Sequence, residues 1–275
     1  MTSAPRAAVL GRPISHSLSP KLHGYWLDRY DIAGSYTAID IPEDKLEETL
    51  QELPQKGFIG VNVTLPHKVS VLPFVDQITD RATLIGAVNT LVFKEGGKIF
   101  ADNTDGYGFL ANLRQGAPDW DPTAGPAAIF GAGGAARAVI VALAEAGVPE
   151  IIISNRTRAK AEALRSDFGA RLRVVDWVQA HMMLDEAKTV VNTTSLGMDG
   201  GHEFKVALDL LRPDAVVTDI VYKPLRTPLL EAAAAKGCTT VDGLGMLLHQ
   251  GVPGFERWFG VRPEVDEQTR RAVLA

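Results

Sequence analysis

Apolar and polar positions divide the chain into short apolar runs separated by stretches of helical spacing, the pattern of an α/β protein. In the first hundred residues, Arg6 to Leu10, Ser35 to Ile39 and Ile59 to Thr64 read as strands. Between them Leu22, Tyr25, Trp26 and Arg29 recur at helical spacing, and Glu43 to Leu53 reads as an amphipathic helix. Ser19 before Pro20 reads as an N-cap followed by the first helical residue, so this helix runs to about Tyr30. Thr79 or Asp80 caps a short helix, and Gly86 to Leu91 leads into a hairpin closed at Glu95-Gly96-Gly97-Lys98. A helix follows from Tyr107 to Gln115. The second half adds strands at Ala127 to Phe130, Glu150 to Ser154, Arg171 to Val175, Thr189 to Asn192 and Ala215 to Ile220. An alanine-rich helix from Ala138 to Ala146, closed by Gly147, joins the first two of these.

The strand at Ala127 to Phe130 passes straight into Gly131-Ala132-Gly133-Gly134-Ala135-Ala136-Arg137, where a helix has to begin. Strand, glycine turn, helix and strand in this order form a dinucleotide-binding unit. Gly131 permits the sharp turn, Gly133 lets the backbone approach a pyrophosphate, and Ala136 allows helix and strand to pack closely. Gly134 and Ala135 complete the turn, and the pyrophosphate would lie over amides at the positive end of the helix. An NAD site places Asp or Glu after the second strand for the ribose hydroxyls. This chain has Asn155-Arg156-Thr157-Arg158 and then Lys160. Three cations and two neutral hydrogen-bonding side chains suit a 2'-phosphate, and the planar arginine fork matches its oxygens, so the pattern predicts NADP.

Polar residues gather at the strand ends of the first half. In an open parallel sheet ligands bind beyond the carboxyl ends of the strands, where Asn62, Thr64 and Lys68 fall, and two more strand ends supply Asn89 and Asp105. Ser17 and Ser19, separated by one residue after the first strand, would turn both hydroxyls the same way in an extended segment. Hydroxyls so placed suit a carboxylate or a polyol.

A length of 275 residues suggests two domains, and the Pro-, Gly- and Asp-rich loop from Gly116 to Gly125 marks a boundary. The net charge of −5, with no block of like charge, argues against a nucleic-acid surface. Cys238 is the only cysteine, which excludes an internal disulfide and fits a reducing cytosol. No apolar run is long enough to span a bilayer and no N-terminal cleavage signal is visible, so a cytoplasmic location is expected. The six histidines include no pair at zinc-ligand spacing, and no metal is expected.

Taken in order, Pro13-Ile-Ser-His-Ser-Leu-Ser-Pro20, Asn62-Val-Thr-Leu-Pro-His-Lys68, Gly86-Ala-Val-Asn-Thr90, Asp102-Asn-Thr-Asp-Gly106, Gly131-Ala-Gly-Gly-Ala-Ala-Arg137, Asn155-Arg-Thr157 and Asp242-Gly-Leu-Gly-Met246 resemble the shikimate dehydrogenase family over nearly the whole length. The resemblance implies reversible, NADP-dependent reduction of 3-dehydroshikimate to shikimate, in the pathway to the aromatic amino acids. It implies that Ser17 and Ser19 contact the substrate carboxylate, and that Asn62, Thr64, Asn89 and Asp105 hold its hydroxyls. Lys68 with Asp105 would be the catalytic pair. It further places Tyr222 and Gln250 near the substrate, Thr193 and Ser195 along the cofactor, and Gly243 and Met246 by the nicotinamide. The implied architecture is a mostly parallel α/β substrate domain, residues 1–105 completed by 243–275, and a Rossmann-type domain, residues 106–242, with the active cleft between them. Hinges are expected near Gly106 and Gly243, and the protein is expected to be a monomer or a homodimer.

Two positions depart from the family pattern. Lys160 stands where many relatives carry a second arginine, keeping the charge without the fork. Pro253 and Gly254 interrupt the closing helix, where a kink or break is expected. Other readings stay open. A quinate/shikimate dehydrogenase would use NAD and carry an acid after the second nucleotide strand. Methylenetetrahydrofolate dehydrogenases and glutamyl-tRNA reductases share the general form of the second domain. A non-enzymatic NADP sensor would need the Gly131 turn but neither Lys68 nor Asp105.

Overall fold

The computed structural model describes residues 4–275. It divides into two compact units, residues 1–108 with 247–275 and residues 109–246. The chain passes from one unit to the other inside two helices rather than in the loop of residues 116–125.

The first unit is built on β1 (Arg6–Gly11), α1 (Ser19–Arg29), β2 (Ser35–Asp40), α2 (Leu46–Glu52), β3 (Phe58–Val63), α3 (His67–Ser70), β4 (Gln77–Ile78), α4 (Asp80–Ile85), β5 (Thr90–Phe93) and β6 (Ile99–Asp102), followed by α5 (Asp105–Gly116). Its strands lie in the order β2-β1-β3-β5-β6-β4. β1 pairs in parallel with β2 and β3, whereas β5 runs antiparallel to both β3 and β6, so this sheet is mixed. The chain builds β2 on one side of β1 and β3 on the other. That reversal puts a topological switch point at the carboxyl ends of β1 and β3, the place where open sheets bind ligands. Thr79 caps α4, its hydroxyl accepting from the Ala82 amide at 3.2 Å.

The second unit contains β7 (Ala127–Phe130), α6 (Gly134–Ala146), β8 (Ile151–Ser154), α7 (Arg158–Phe168), β9 (Leu172–Val175), β10 (Thr189–Asn192), β11 (Val216–Asp219), α8 (Pro228–Ala235) and β12 (Thr239–Val241). Every pairing is parallel, in the order β12-β11-β10-β7-β8-β9. Numbered within the unit this is the Rossmann order, and its switch point falls between β7 and β10. Runs such as Ile151-Ile152-Ile153 are buried on both faces, as a covered parallel sheet requires.

Two helices close the chain, α9 (Leu244–Phe259) and α10 (Glu267–Leu274). α9 continues through Pro253, so the expected break does not occur. Proline removes the hydrogen bond that its nitrogen would give to the His249 carbonyl. Burial of Val252, Phe255 and Trp258 on the same helix offsets that loss, and the Trp258 indole donates to the Leu91 carbonyl at 3.0 Å. The expected hinge glycines are not in loops open to solvent: Gly106 lies in the first turn of α5, and a Cβ on Gly243 would come within 2.4 Å of the Ile220 carbonyl oxygen.

Candidate active site

In the first unit the polar strand ends converge. Lys68 stands on α3 and pairs through Nζ with Asp105 Oδ2, at the start of α5, with side chains 16% and 5% exposed. The other carboxylate oxygen accepts from Asn89 Nδ2 at 2.8 Å, so each oxygen of Asp105 faces one donor. Short contacts fix the backbone around the pair. The Lys68 carbonyl accepts from the Val88 amide at 2.7 Å, and the Asp105 amide donates to Asn103 Oδ1 at 3.0 Å. His67, fully buried, donates from Nε2 to the Ile41 carbonyl at 2.9 Å, which sets its tautomer and anchors the turn carrying Lys68.

Asn89 is the centre of this network. Its two amide protons face three acceptors, Asp105 Oδ1 at 2.8 Å, Thr104 Oγ1 at 3.0 Å and Gln250 Oε1 at 3.2 Å, so at most two contacts are satisfied without sharing a proton. Its carbonyl oxygen accepts from the Thr104 amide at 2.8 Å. Gln250 arrives on α9, and the carbonyl of the same residue accepts from the Thr104 hydroxyl at 2.8 Å. Asn62 gives both amide protons inward, to the Asn89 carbonyl at 3.0 Å and Thr90 Oγ1 at 3.2 Å. Thr64 is half-buried beyond β3 and packs over Gly11, where a Cβ would lie 2.5 Å from Thr64 Cγ2. Arg257 on α9 binds Asp102 at 2.5 Å, tying the end of β6 to the helix that carries Gln250.

The serine loop differs from its sequence reading in two respects. Residues 14–17 form a turn closed by the Ser17 amide on the Ile14 carbonyl at 3.0 Å, so the segment is not extended. Leu18 occupies the N-cap of α1, with Ser19 already helical, because Ser17 Oγ accepts the Ser19 amide proton at 3.3 Å and displaces the cap by one residue. Ser17 is half-buried and Ser19 buried.

In the second unit Gly131 ends β7 with φ +111, a conformation that L-residues resist, and a Cβ there would approach Thr193 Oγ1 to 2.6 Å. Gly133 is the N-cap of α6, no side chain caps that end, and a Cβ on Gly133 would meet no atom within 4 Å. The amides of Gly134 and Ala135 therefore head a thirteen-residue helix at an accessible, electropositive end. Beyond β8, Asn155 Nδ2 donates to the Thr157 carbonyl at 2.8 Å and shapes the turn into α7. Arg158 was expected against a phosphate, but its fork is taken by Asp176 at 2.6 Å and Glu162 at 2.7 Å. Arg156 and Lys160 are exposed and form no ion pair among the described residues.

Asn192 and Asp219 organise two neighbouring loops. Asn192 Oδ1 accepts from the Thr194 amide at 3.0 Å, while its amide donates to Asp219 at 3.0 Å. Asp219 also accepts from the Val221 amide at 3.0 Å and the Thr227 hydroxyl at 2.8 Å, bracketing Tyr222. Burial pushes its carboxyl up to about 6 against these three hydrogen bonds. Ser195 is exposed on the first loop, whereas the Thr193 hydroxyl is committed to the Phe130 carbonyl at 2.8 Å. Tyr222 is half-buried; Gly243 is buried against Ile220, and Met246 packs into the apolar core of this unit.

Family models match three stretches of the chain: "Shikimate dehydrogenase substrate binding domain" over residues 9–91, "Shikimate / quinate 5-dehydrogenase" over 122–197, and "Shikimate 5'-dehydrogenase C-terminal domain" over 243–274. A shikimate dehydrogenase (NADP(+)) of Cereibacter sphaeroides is 65% identical, covering 100% of this chain and 99% of that protein. The chain belongs to the shikimate dehydrogenase family. Among solved structures, the shikimate 5-dehydrogenase of Thermus thermophilus in complex with NADP(H) and shikimate is 41% identical, with a TM-score of 0.86 covering 97% of this chain and 99% of that one. The quinate dehydrogenase of Corynebacterium glutamicum in complex with NAD is 31% identical, with a TM-score of 0.90 over 98% and 99%.

For a shikimate dehydrogenase, several residues that build the site were not singled out in the sequence. Asn103 and Thr104 lie inside the Asp102–Gly106 motif, and their side chains serve the backbone at Ala87 and Gln250. Asp219 ends β11, at the carboxyl edge of a parallel sheet beside β10, a position that could have raised it. Tyr36 and Arg257 carry no local signal, because their partners Asn62 and Asp102 lie 26 and 155 residues away.

Proposed function

We propose that this protein is an NADP-dependent shikimate dehydrogenase, reversibly reducing 3-dehydroshikimate to shikimate. The observation that carries the chemistry is the pair of half-buried Lys68 and buried Asp105, held by Asn89, which Asn62 and Gln250 contact in turn. A cyclic polyol needs several hydrogen-bonding groups converging on one side, and these amides with Thr64 and the serines Ser17 and Ser19 provide them. Ser17 and Ser19 take the carboxylate end. Tyr222 completes the substrate contacts.

The second unit fits the cofactor. The Gly133 turn leaves room for a pyrophosphate beside the amides of α6, and Arg156 with Lys160 offers two uncommitted cations, with Asn155 and Thr157, to a 2'-phosphate. Thr193, Ser195, Gly243 and Met246 belong to the same region in this reading. When bound, NADP(H) supplies or accepts the hydride. The protein orients the ring and manages one proton. In the direction of reduction Lys68 gives that proton to the carbonyl oxygen as it becomes a hydroxyl, and Asp105 holds the amine in place and accepts from a neighbouring substrate hydroxyl. The same reading places the enzyme in the cytoplasm, in line with a lone buried thiol at Cys238; no helix among the described residues is long and apolar enough to cross a membrane.

The decisive assay is turnover of shikimate with NADP and with NAD for the wild type and Lys68→Ala. The variant is expected to lose about 10²-fold or more in kcat with a much smaller change in KM. Near-normal turnover would remove Lys68 from the mechanism.

A further inference from the structure

The hydroxyl of Tyr36 is buried on β2 and donates to Asn62 Oδ1 at 2.6 Å, the shortest neutral contact of the site. Tyr36 has one phenolic proton, and Asn62 Oδ1 can only accept, so the phenol is the donor of this contact. A buried side chain on β2 thus holds a residue assigned to the substrate's ring hydroxyls. The ring itself is clamped: His23 stacks on it at 3.9 Å with an interplanar angle of 2°, and Trp258 lies 6.0 Å away. His23 is in turn held by Gly251, where any Cβ would come within 3.3 Å of its Nε2.

The amide protons of Asn62 are already given to Asn89 and Thr90. Its remaining capacity is the second lone pair of Oδ1, the atom on which Tyr36 bears. We propose that Tyr36 is a positioning residue for substrate recognition: it fixes the Oδ1 acceptor of Asn62, so that its second lone pair is held toward a ring hydroxyl of the substrate. This rests on the reading that Asn62 contacts the substrate. Tyr36 touches neither cofactor residue nor the Lys68–Asp105 pair in the hydrogen-bond network, so its effect falls on substrate binding and spares the proton transfer.

The test is steady-state kinetics of Tyr36→Phe, Asn62→Ala and the double variant in the full chain, with shikimate and NADP varied in turn. Tyr36→Phe is expected to raise the KM for shikimate about tenfold, as for one lost hydrogen bond at a buried acceptor, with kcat and the KM for NADP within about twofold. On the Asn62→Ala background the same change is expected to add less than about twofold, because its acceptor is gone. An unchanged shikimate KM, an equal rise for both substrates, or full additivity in the double variant would each overturn the proposal. If Tyr36→Phe does not yield folded protein, Tyr36→Leu, which also lacks the hydroxyl, replaces it: shikimate KM in that variant should respond less than additively to Asn62→Ala, and strict additivity overturns the proposal. Should Asn62→Ala alone leave the shikimate KM unchanged, the assignment of Asn62 to the substrate falls, a result distinct from the failure of Tyr36.

Discussion

The buried imidazole of His23 makes a quantitative statement about acid stability. Its ring is enclosed by Tyr36, Trp26, Phe255 and Trp258, and neither nitrogen has a hydrogen-bond partner among the described residues. Among its ring contacts one other group is titratable, the Tyr36 phenol. With no counter-charge among these contacts for an imidazolium, burial lowers its pKa from 6.5 to about 3. A folded-state value depressed below the unfolded one means that the stability is fully present above pH 6.5 and is lost as pH falls toward 3. Between pH 7 and pH 5 the linkage relation gives a loss of about 2 kcal/mol from this residue. Asp219 acts with the opposite sign, since a carboxyl raised from 3.8 to about 6 takes up its proton first in the folded state. Over the same interval it contributes about 1 kcal/mol in favour of folding, so the wild-type profile is a partly cancelled sum. The assay is therefore a difference: urea unfolding of wild type and His23→Phe at pH 7 and at pH 5. Phenylalanine keeps a planar ring against Tyr36, and its own packing cost is common to both pH values. The stability difference between the two proteins should move by about 2 kcal/mol in favour of the variant on acidification. A movement under about 0.5 kcal/mol would refute the picture of a neutral, isolated imidazole.

Changing Arg156 and Lys160 together to alanine should weaken NADP selectively, by roughly 1.5 to 3 kcal/mol per lost charge-assisted contact, with NAD binding scarcely altered; equal losses for both cofactors in a fluorescence titration would show a structural effect instead. Arg158→Ala should leave NADP affinity nearly unchanged, because its fork serves Asp176 and Glu162 on an exposed face, where such pairs contribute at most about 1 kcal/mol; a tenfold rise in the NADP KM would return Arg158 to the phosphate. Gly131→Ala combines a φ of +111 with a Cβ 2.6 Å from Thr193 Oγ1, and should cost more than about 2 kcal/mol of stability and abolish NADP binding; a variant that melts and binds like wild type would mean the turn can relax.

Much of the fold was legible because it depends on short-range signals. The Gly131 turn, its flanking strands and the Gly147 stop all sit within about twenty residues, and each is read from local backbone demands. The strand-end residues were legible for a related reason: Asn62, Thr64, Lys68 and Asp105 lie at or beyond the carboxyl ends of β3 and β6, and Asn89 precedes β5, which runs antiparallel to both and so starts on the same edge. Two readings change once the partner of each group is known. Arg158 reads as a phosphate ligand until Asp176, eighteen residues on, takes one arm of its guanidinium. Ser19 reads as an N-cap until the Ser17 hydroxyl takes its amide.

Pro253 shows how the balance between local and distant terms is struck. A proline in a helix interior costs about 3 kcal/mol, enough to end a helix whose other residues are indifferent. In α9 they are not. Phe255 and Trp258 are buried, Gln250 reaches Asn89, and Arg257 holds Asp102 at the end of β6, just before Asp105. Burying one large apolar side chain contributes about 1.5 to 3 kcal/mol, so the two aromatics together offset the lost hydrogen bond. Helical geometry across Pro253 is also what keeps Gln250 and Arg257 in register on either side of it. The residue that looks like a helix breaker is thus spanned by contacts to the network around Lys68 and Asp105, and the local rule fails at the point where the fold and the candidate site make the same demand.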